Sequence, residues 1–245
     1  MQSLISSAIV LCMSFAFVET ATAATIYDFE TDFSTTTNTA TSTWSYRTAA
    51  DLLRDGSYDL FAVSQVILSA TDGWNETIAN AHPPYIGVNT SGAADGVVPD
   101  GDSTVHPGHN RIAVVSWLAP SDGTAAIDYL FGDQNAGGGS GITWYIDDGD
   151  STGNLATGLL GNGGLDQSGS IASFAVSAGD RINFVIDPVG TAPDPIPAAN
   201  HAFDNTHVVA TVTFVPVPEA SSIALLLIGV GSVSCGWRRR RTVKY

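Results

Sequence analysis

Trp74, Tyr85, Trp144 and Tyr145 are the side chains whose type and setting best suit ligand chemistry. An aromatic face offers a broad apolar surface on which the C–H face of a sugar ring can stack. Trp74 and Tyr85 sit in loop-like contexts. Trp144 and Tyr145 are neighbours on an expected strand, so they point to opposite faces and one of them faces outward. Trp117 lies in a strongly apolar run and reads as core. Core packing is the competing reading for every one of these rings.

Carboxylates give a second constellation. Asp147, Asp148 and Asp150 surround Gly149 in DDGDSTGN, with Asn154 close behind. Oxygen ligands at close spacing on a turn suit Ca²⁺, and these three are the candidate ligands. The run is no EF-hand, because no Glu closes it and no helices flank it. The alternative is a solvated turn in which Asp bonds nearby amides. DGVVPDGD (95–102) invites the same pair of readings. Of the five histidines, only His106 and His109 are close, and Pro107-Gly108 between them makes a turn. Zinc-ligand spacing on a helix is absent, so no zinc site is expected.

Hydrolytic catalysis finds little support. There is no G-x-S-x-G elbow, no Cys between 25 and 215, and only Glu30 and Glu76 as glutamates there. The glycine-rich stretches 133–141 and 158–169 lack the lysine and the strand–helix context of a phosphate loop. No catalytic residue is assigned, and the chain is not expected to be an enzyme.

Strands must position these groups. Apolar or alternating runs at 25–29, 58–68, 111–119, 124–131, 141–147, 170–177, 181–187 and 207–215 read as strands. In the seventh, Ile182, Phe184 and Ile186 share one face, and Arg181, Asn183, Val185 and Asp187 the other. SAGDR (177–181) and APSDG (119–123) carry turn chemistry. Residues 31–43, rich in Thr and Ser, read as a loop or edge strand. Residues 188–200, with four prolines, read as a long surface loop. Many short strands joined by polar turns predict an all-β, jelly-roll-like β-sandwich as a single domain over 25–215.

That body has four arginines, Arg47, Arg54, Arg111 and Arg181, against 22 carboxylates, a formal charge of −18. Such a surface repels nucleic acid and anionic headgroups and attracts cations. With no Cys in the body, no disulfide framework holds it.

The ends differ in kind. Residues 1–24 are apolar and finish in Ala21-Thr22-Ala23-Ala24, as a signal peptide does, although no Lys or Arg precedes the apolar run. Residues 216–245 combine Pro218-Glu219-Ala220, an apolar run over 223–237, and Arg238, Arg239, Arg240 and Arg241. As a helix that run spans about 22 Å, short of the ~30 Å hydrocarbon core, with arginines free to snorkel to the cytoplasmic side.

The order of motif, apolar helix and arginine cluster resembles the PEP-CTERM sorting signal of exported bacterial proteins. That family's usual tripeptide is Pro-Glu-Pro, and this chain has Ala at the third position. The resemblance implies recognition of Pro218, Glu219 and the helix by an exosortase-type processing enzyme after signal peptidase. It also implies membrane attachment through the helix before processing, and a link to exopolysaccharide. Between 43 and 215, the ordered pieces TWSYRTAADLLRDGSYDLF, PPYIGVN, VHPGHNRIAVVSWLAPSDG, GITWYIDDG and AGDRINFVIDP resemble a β-sandwich domain recurring in such proteins. That domain is similar in shape to jelly-roll carbohydrate-binding modules. Together these imply an exported, non-catalytic protein of the cell envelope, surface or extracellular matrix that binds polysaccharide, with Ca²⁺ as the one cofactor to consider. The alternatives are a purely structural or adhesive surface protein and a glycan-active hydrolase.

Overall fold

The computed structural model describes residues 22–49, 52, 54–76, 83–149, 154–188 and 203–217. Apart from Thr22, these belong to one compact unit, Ala23–Val217. The residues expected to form a sorting motif, Pro218, Glu219, Ala220, Arg238, Arg239, Arg240 and Arg241, together with residues 1–21 and Asp150, lie outside the described residues.

Fourteen strands make up the described regular structure: β1 (Thr25–Asp28), β2 (Trp44–Ala49), β3 (Asp59–Leu60), β4 (Val63–Val66), β5 (Asp72–Asn75), β6 (Tyr85–Val88), β7 (Ser103–His106), β8 (Ile112–Leu118), β9 (Gly123–Asp133), β10 (Ile142–Asp148), β11 (Asn154–Leu160), β12 (Gln167–Val176), β13 (Arg181–Asp187) and β14 (Thr206–Pro216). All pairings are antiparallel. One sheet runs β12-β9-β14-β7-β6-β5-β4, and β1 pairs with β14 beyond β7, at Thr25↔Phe214 through Asp28↔Thr211. The other runs β11-β10-β13-β8-β2-β3. The described part of the chain is an all-β sandwich of two antiparallel sheets, and among the described residues no helix is long and apolar enough to cross a membrane.

Alternation builds the core between the sheets. Val208, Ala210, Val212 and Phe214 of β14 face Ile182, Phe184 and Ile186 of β13, and all are buried. Aromatic rings fill the middle: Trp117 packs on Tyr27 and Phe214, and Phe131 stacks flat on Trp144 with centroids 4.4 Å apart. Removing one such ring typically costs about 3–5 kcal/mol.

The outer face of the six-stranded sheet is also buried, which the simple inward–outward pattern does not predict. Tyr58, arriving from the connection before β3, packs with Ala49, Ile112, Val114 and Val185 in a second apolar cluster. Arg47, Arg54 and Arg181 lie over the same face, as their bonds to Ser45, Ser116 and Asp147 show.

Seven of the eight expected strands coincide with observed ones. The run 58–68 instead divides, β3 joining one sheet and β4 the other. The strands β2, β5, β6, β7 and β11 were not expected. In β5 and β6, Gly73 and Gly87 face each other across the ladder, and the Ile67 side chain fills the space their missing side chains leave. Glycine there serves close packing within a strand, although by type it reads as a turn.

Candidate functional site

The four aromatic candidates have ring faces already occupied. Trp74 is 8% exposed, stacks on Tyr46 and donates its indole N–H to the Ser34 carbonyl at 2.6 Å. Trp144 lies on Phe131, donates to Gln167 Oε1 at 2.9 Å and faces Gly158 across the ladder. A Cβ at Gly158 would come within 2.5 Å of the indole, so that glycine admits the ring. Tyr85 stacks on His106 at 5.0 Å and donates to Asn205 Oδ1 at 3.0 Å, and burial pushes its hydroxyl far above the ordinary phenol pKa. Tyr145 lies under Arg54, whose guanidinium carbon is 3.4 Å from the ring centroid.

The Asp147 carboxylate accepts from Arg54 Nη1 at 3.0 Å through each oxygen, and the same nitrogen donates to Asn154 Oδ1 at 2.7 Å. Burial raises the Asp147 pKa, and the Arg54 charge pulls it part of the way back. Asp148 follows on the opposite face of the strand and is exposed. The structure thus brings Asp147 to an arginine rather than to Asp148. In 95–102, Asp95 Oδ2 accepts from the Ala70 and Thr71 amides and the Thr71 hydroxyl, each at 2.8 Å. These bonds, the Ala70 amide first, hold its pKa below the usual carboxylate value. Asp100 caps the Gly92 amide. Both residues therefore stabilise loop structure.

A cleft the sequence did not point to opens where β1 and β2 meet the 31–43 loop. Its volume is about 500 Å³, and Tyr27, Asp32, Ser34, Thr37, Thr43 and Trp44 are among its lining residues. Trp44 and Tyr46 form a buried floor, while Tyr27 is half-buried and presents aromatic surface. Asp32 Oδ2 accepts from the Trp44 indole and the Asp28 amide. The Ser34 hydroxyl accepts from the Thr36 and Thr37 amides, which shapes the loop. The Thr37 and Thr43 hydroxyls have no protein partner among the described residues, so they remain free to bond elsewhere. Apolar surface beside a carboxylate and free hydroxyls matches the amphipathic character of a sugar.

A second grouping draws on distant parts of the chain. His207 Nε2 lies 2.9 Å from Glu30 Oε1, and His207 Nδ1 lies 4.0 Å from Asp102 Oδ2. The Ser103 amide donates to the same Glu30 oxygen at 2.7 Å. Burial would lower the His207 pKa, but Glu30, Asp102 and Asp166 together raise it. Glu30 and His207 are separated by 177 residues, so no local spacing announces them. The one hint was the rarity of glutamate in the body.

No family model matches the chain, and no curated protein matches it. Among solved structures, the K1 cleaved adhesin domain of Lys-gingipain (Kgp) from Porphyromonas gingivalis W83 is similar at 8% identity. The match covers 80% of this chain and 99% of that one, with a TM-score of 0.28. A score that low is below the range of a shared fold, so the architecture rests on the strand pairing itself.

Proposed function

We propose that the chain is an exported, non-catalytic protein of the cell surface or extracellular matrix whose sandwich binds polysaccharide in the cleft between β1 and β2. In this reading residues 1–24 direct export. Pro218-Glu219-Ala220, the apolar helix and Arg238–Arg241 form a PEP-CTERM-type signal read by an exosortase-type enzyme. The strand order supports a jelly roll: β7-β14-β9-β12 and β8-β13-β10-β11 are strands 1-8-3-6 and 2-7-4-5 of an eight-strand series. The observation that carries ligand binding is the cleft, with the Tyr27 ring, the Asp32 carboxylate and the free Thr37 and Thr43 hydroxyls on one surface. The strongly acidic body disfavours nucleic acid as the ligand.

The test uses the mature protein purified from cells, on a glycan array and on cell-envelope polysaccharide, with and without Ca²⁺. Binding should weaken about fivefold in Thr43→Val, the loss expected from one hydrogen bond worth about 1 kcal/mol. Absence of binding to every glycan would overturn the ligand reading and leave a structural surface protein. An intact mass showing both termini uncut would overturn the sorting reading.

A further inference from the structure

On the outer face of the eight-stranded sheet, Glu30, Asp102 and His207 converge from the ends of β1, β7 and β14, and one ligand atom from each lies within 4.8 Å of the others. We propose that this group binds a divalent transition-metal ion of the Zn²⁺ type, with His207 Nε2 and the Glu30 carboxylate as the leading ligands and Asp102 closing the site.

The donor set selects the ion class. An imidazole with carboxylates suits Zn²⁺ and its neighbours, whereas Ca²⁺ takes oxygen ligands alone. The distances are close to those required. Two ligand atoms about 2.0–2.1 Å from a tetrahedral ion lie roughly 3.3 Å apart. Nε2 and Oε1 are 2.9 Å apart, so an opening of a few tenths of an ångström replaces the shared proton with an ion. Asp102, at 4.0 Å from the ring, reaches the ion by turning its carboxylate.

Gly132 supplies an independent observation. It pairs with His207 across the β9–β14 ladder. A Cβ there would meet Asp166 Oδ1 at 2.6 Å, so the glycine makes room for a further carboxylate beside the imidazole. Glu30 and Asp102 thus lie within reach of the imidazole and Asp166 sits over its ladder partner, a concentration of carboxylates whose charge a divalent cation would offset. β14 carries His207 within a paired strand, and the Ser103 amide donates to Glu30 Oε1. An ion here would tie β1 and β7 to β14 in a body without cysteine.

This inference stands apart from glycan binding, because neither Glu30, Asp102 nor His207 lines the cleft. The test uses untagged mature protein, stripped with EDTA and dialysed against Zn²⁺, Co²⁺ or Ca²⁺. One Zn²⁺ per chain should be retained on desalting, and Co²⁺ should give the visible absorption of a low-coordinate site. His207→Asn should weaken Zn²⁺ binding at least tenfold. Glu30→Gln keeps the Ser103 bond and should weaken it similarly. Gly132→Ala displaces only the flexible Asp166 side chain, so it should fold normally and weaken binding by a smaller factor. His109→Asn should leave binding unchanged. No stoichiometric uptake, uptake unaltered in His207→Asn or in Gly132→Ala, or preference for Ca²⁺ at equal concentration would each overturn the assignment.

Discussion

On the eight-stranded sheet, the outer face carries Glu30 and Asp102 beside His207, Asp166 over Gly132, and Asp28 and Asp128 beside Thr211 further along β14, and these side chains are exposed or half-buried. On the six-stranded sheet, the outer face carries Arg47, Arg54 and Arg181, three of the body's four arginines, over buried Ser45, Ser116, Asn183 and Asp147. The chain thus covers one face and leaves the other largely to solvent. The difference follows from side-chain length. An arginine stem lies along apolar surface and its fork reaches hydroxyls and carbonyls at a distance. A short carboxylate can do neither, so the acidic face keeps its charge exposed.

The covered face should respond to truncation as a core does. Tyr58→Ala removes a buried ring from the Ala49, Ile112, Val114 and Val185 cluster and should cost about 3–5 kcal/mol. Val209→Ala, half-buried on the acidic face, should cost about 1 kcal/mol or less. Urea denaturation of both variants measures the contrast. Equal losses would mean that the two faces do not differ in this way.

How far this was legible in the sequence depended on how many faces a strand buries. β13 was readable because Ile182, Phe184 and Ile186 alternate with polar residues, but alternation alone left Asn183, Val185 and Asp187 to solvent. All three are buried, Val185 because Tyr58, 127 residues earlier in the chain, returns over it, a non-local event with no local signal. β5, β6 and β11 were obscured by Gly73, Gly87 and Gly158, each present because a side chain from elsewhere lies against it. Trp117 was correctly placed in the core because its neighbours are apolar on both sides. The cleft escaped notice because Tyr27 and Trp44 are separated by a polar loop whose shape comes from its own hydroxyl network.

The Arg54–Asp147 pair separates charge from packing on the covered face. Asp147 has a side chain 1% exposed, while that of Arg54 is 26% exposed. Arg54→Met keeps an apolar side chain of similar length but removes the guanidinium from over Tyr145 and strands a buried carboxylate, so the loss should be about 2–3 kcal/mol at neutral pH. The sign of the pH dependence follows from the raised Asp147 pKa. A carboxyl whose folded pKa exceeds its unfolded value favours folding when protonated and loses that contribution as pH rises through the folded pKa. Without Arg54 to pull it back, the Asp147 pKa should climb further. The variant's deficit should therefore shrink as pH falls from 7.5 towards 4.5, by chemical denaturation at each pH. A deficit independent of pH would assign the loss to packing instead.

Arg181 should give the smallest effect, and the reason distinguishes it from Arg54. Its guanidinium donates to the Ser45 and Ser116 hydroxyls at 3.1 and 3.2 Å and to the Ala40 carbonyl, and none of these partners is charged. Burial, reinforced by the Arg47 charge, pushes its pKa down to about 10, so it remains protonated at neutral pH while facing a like charge. Arg181→Met removes that repulsion and the desolvation of a cation, keeps the stem, and leaves behind only hydroxyls and one carbonyl. Ser45 Oγ retains its bond from Arg47 Nε at 2.9 Å. The lost bonds and the relieved charge should nearly cancel, leaving a change within about 1 kcal/mol. Denaturant midpoints measured at low and high salt check this. If the variant lost as much as Arg54→Met, the neutral acceptors around Arg181 would have to be counted as strongly as a carboxylate, and the distinction between a clamped cation and a paired one on this face would fail.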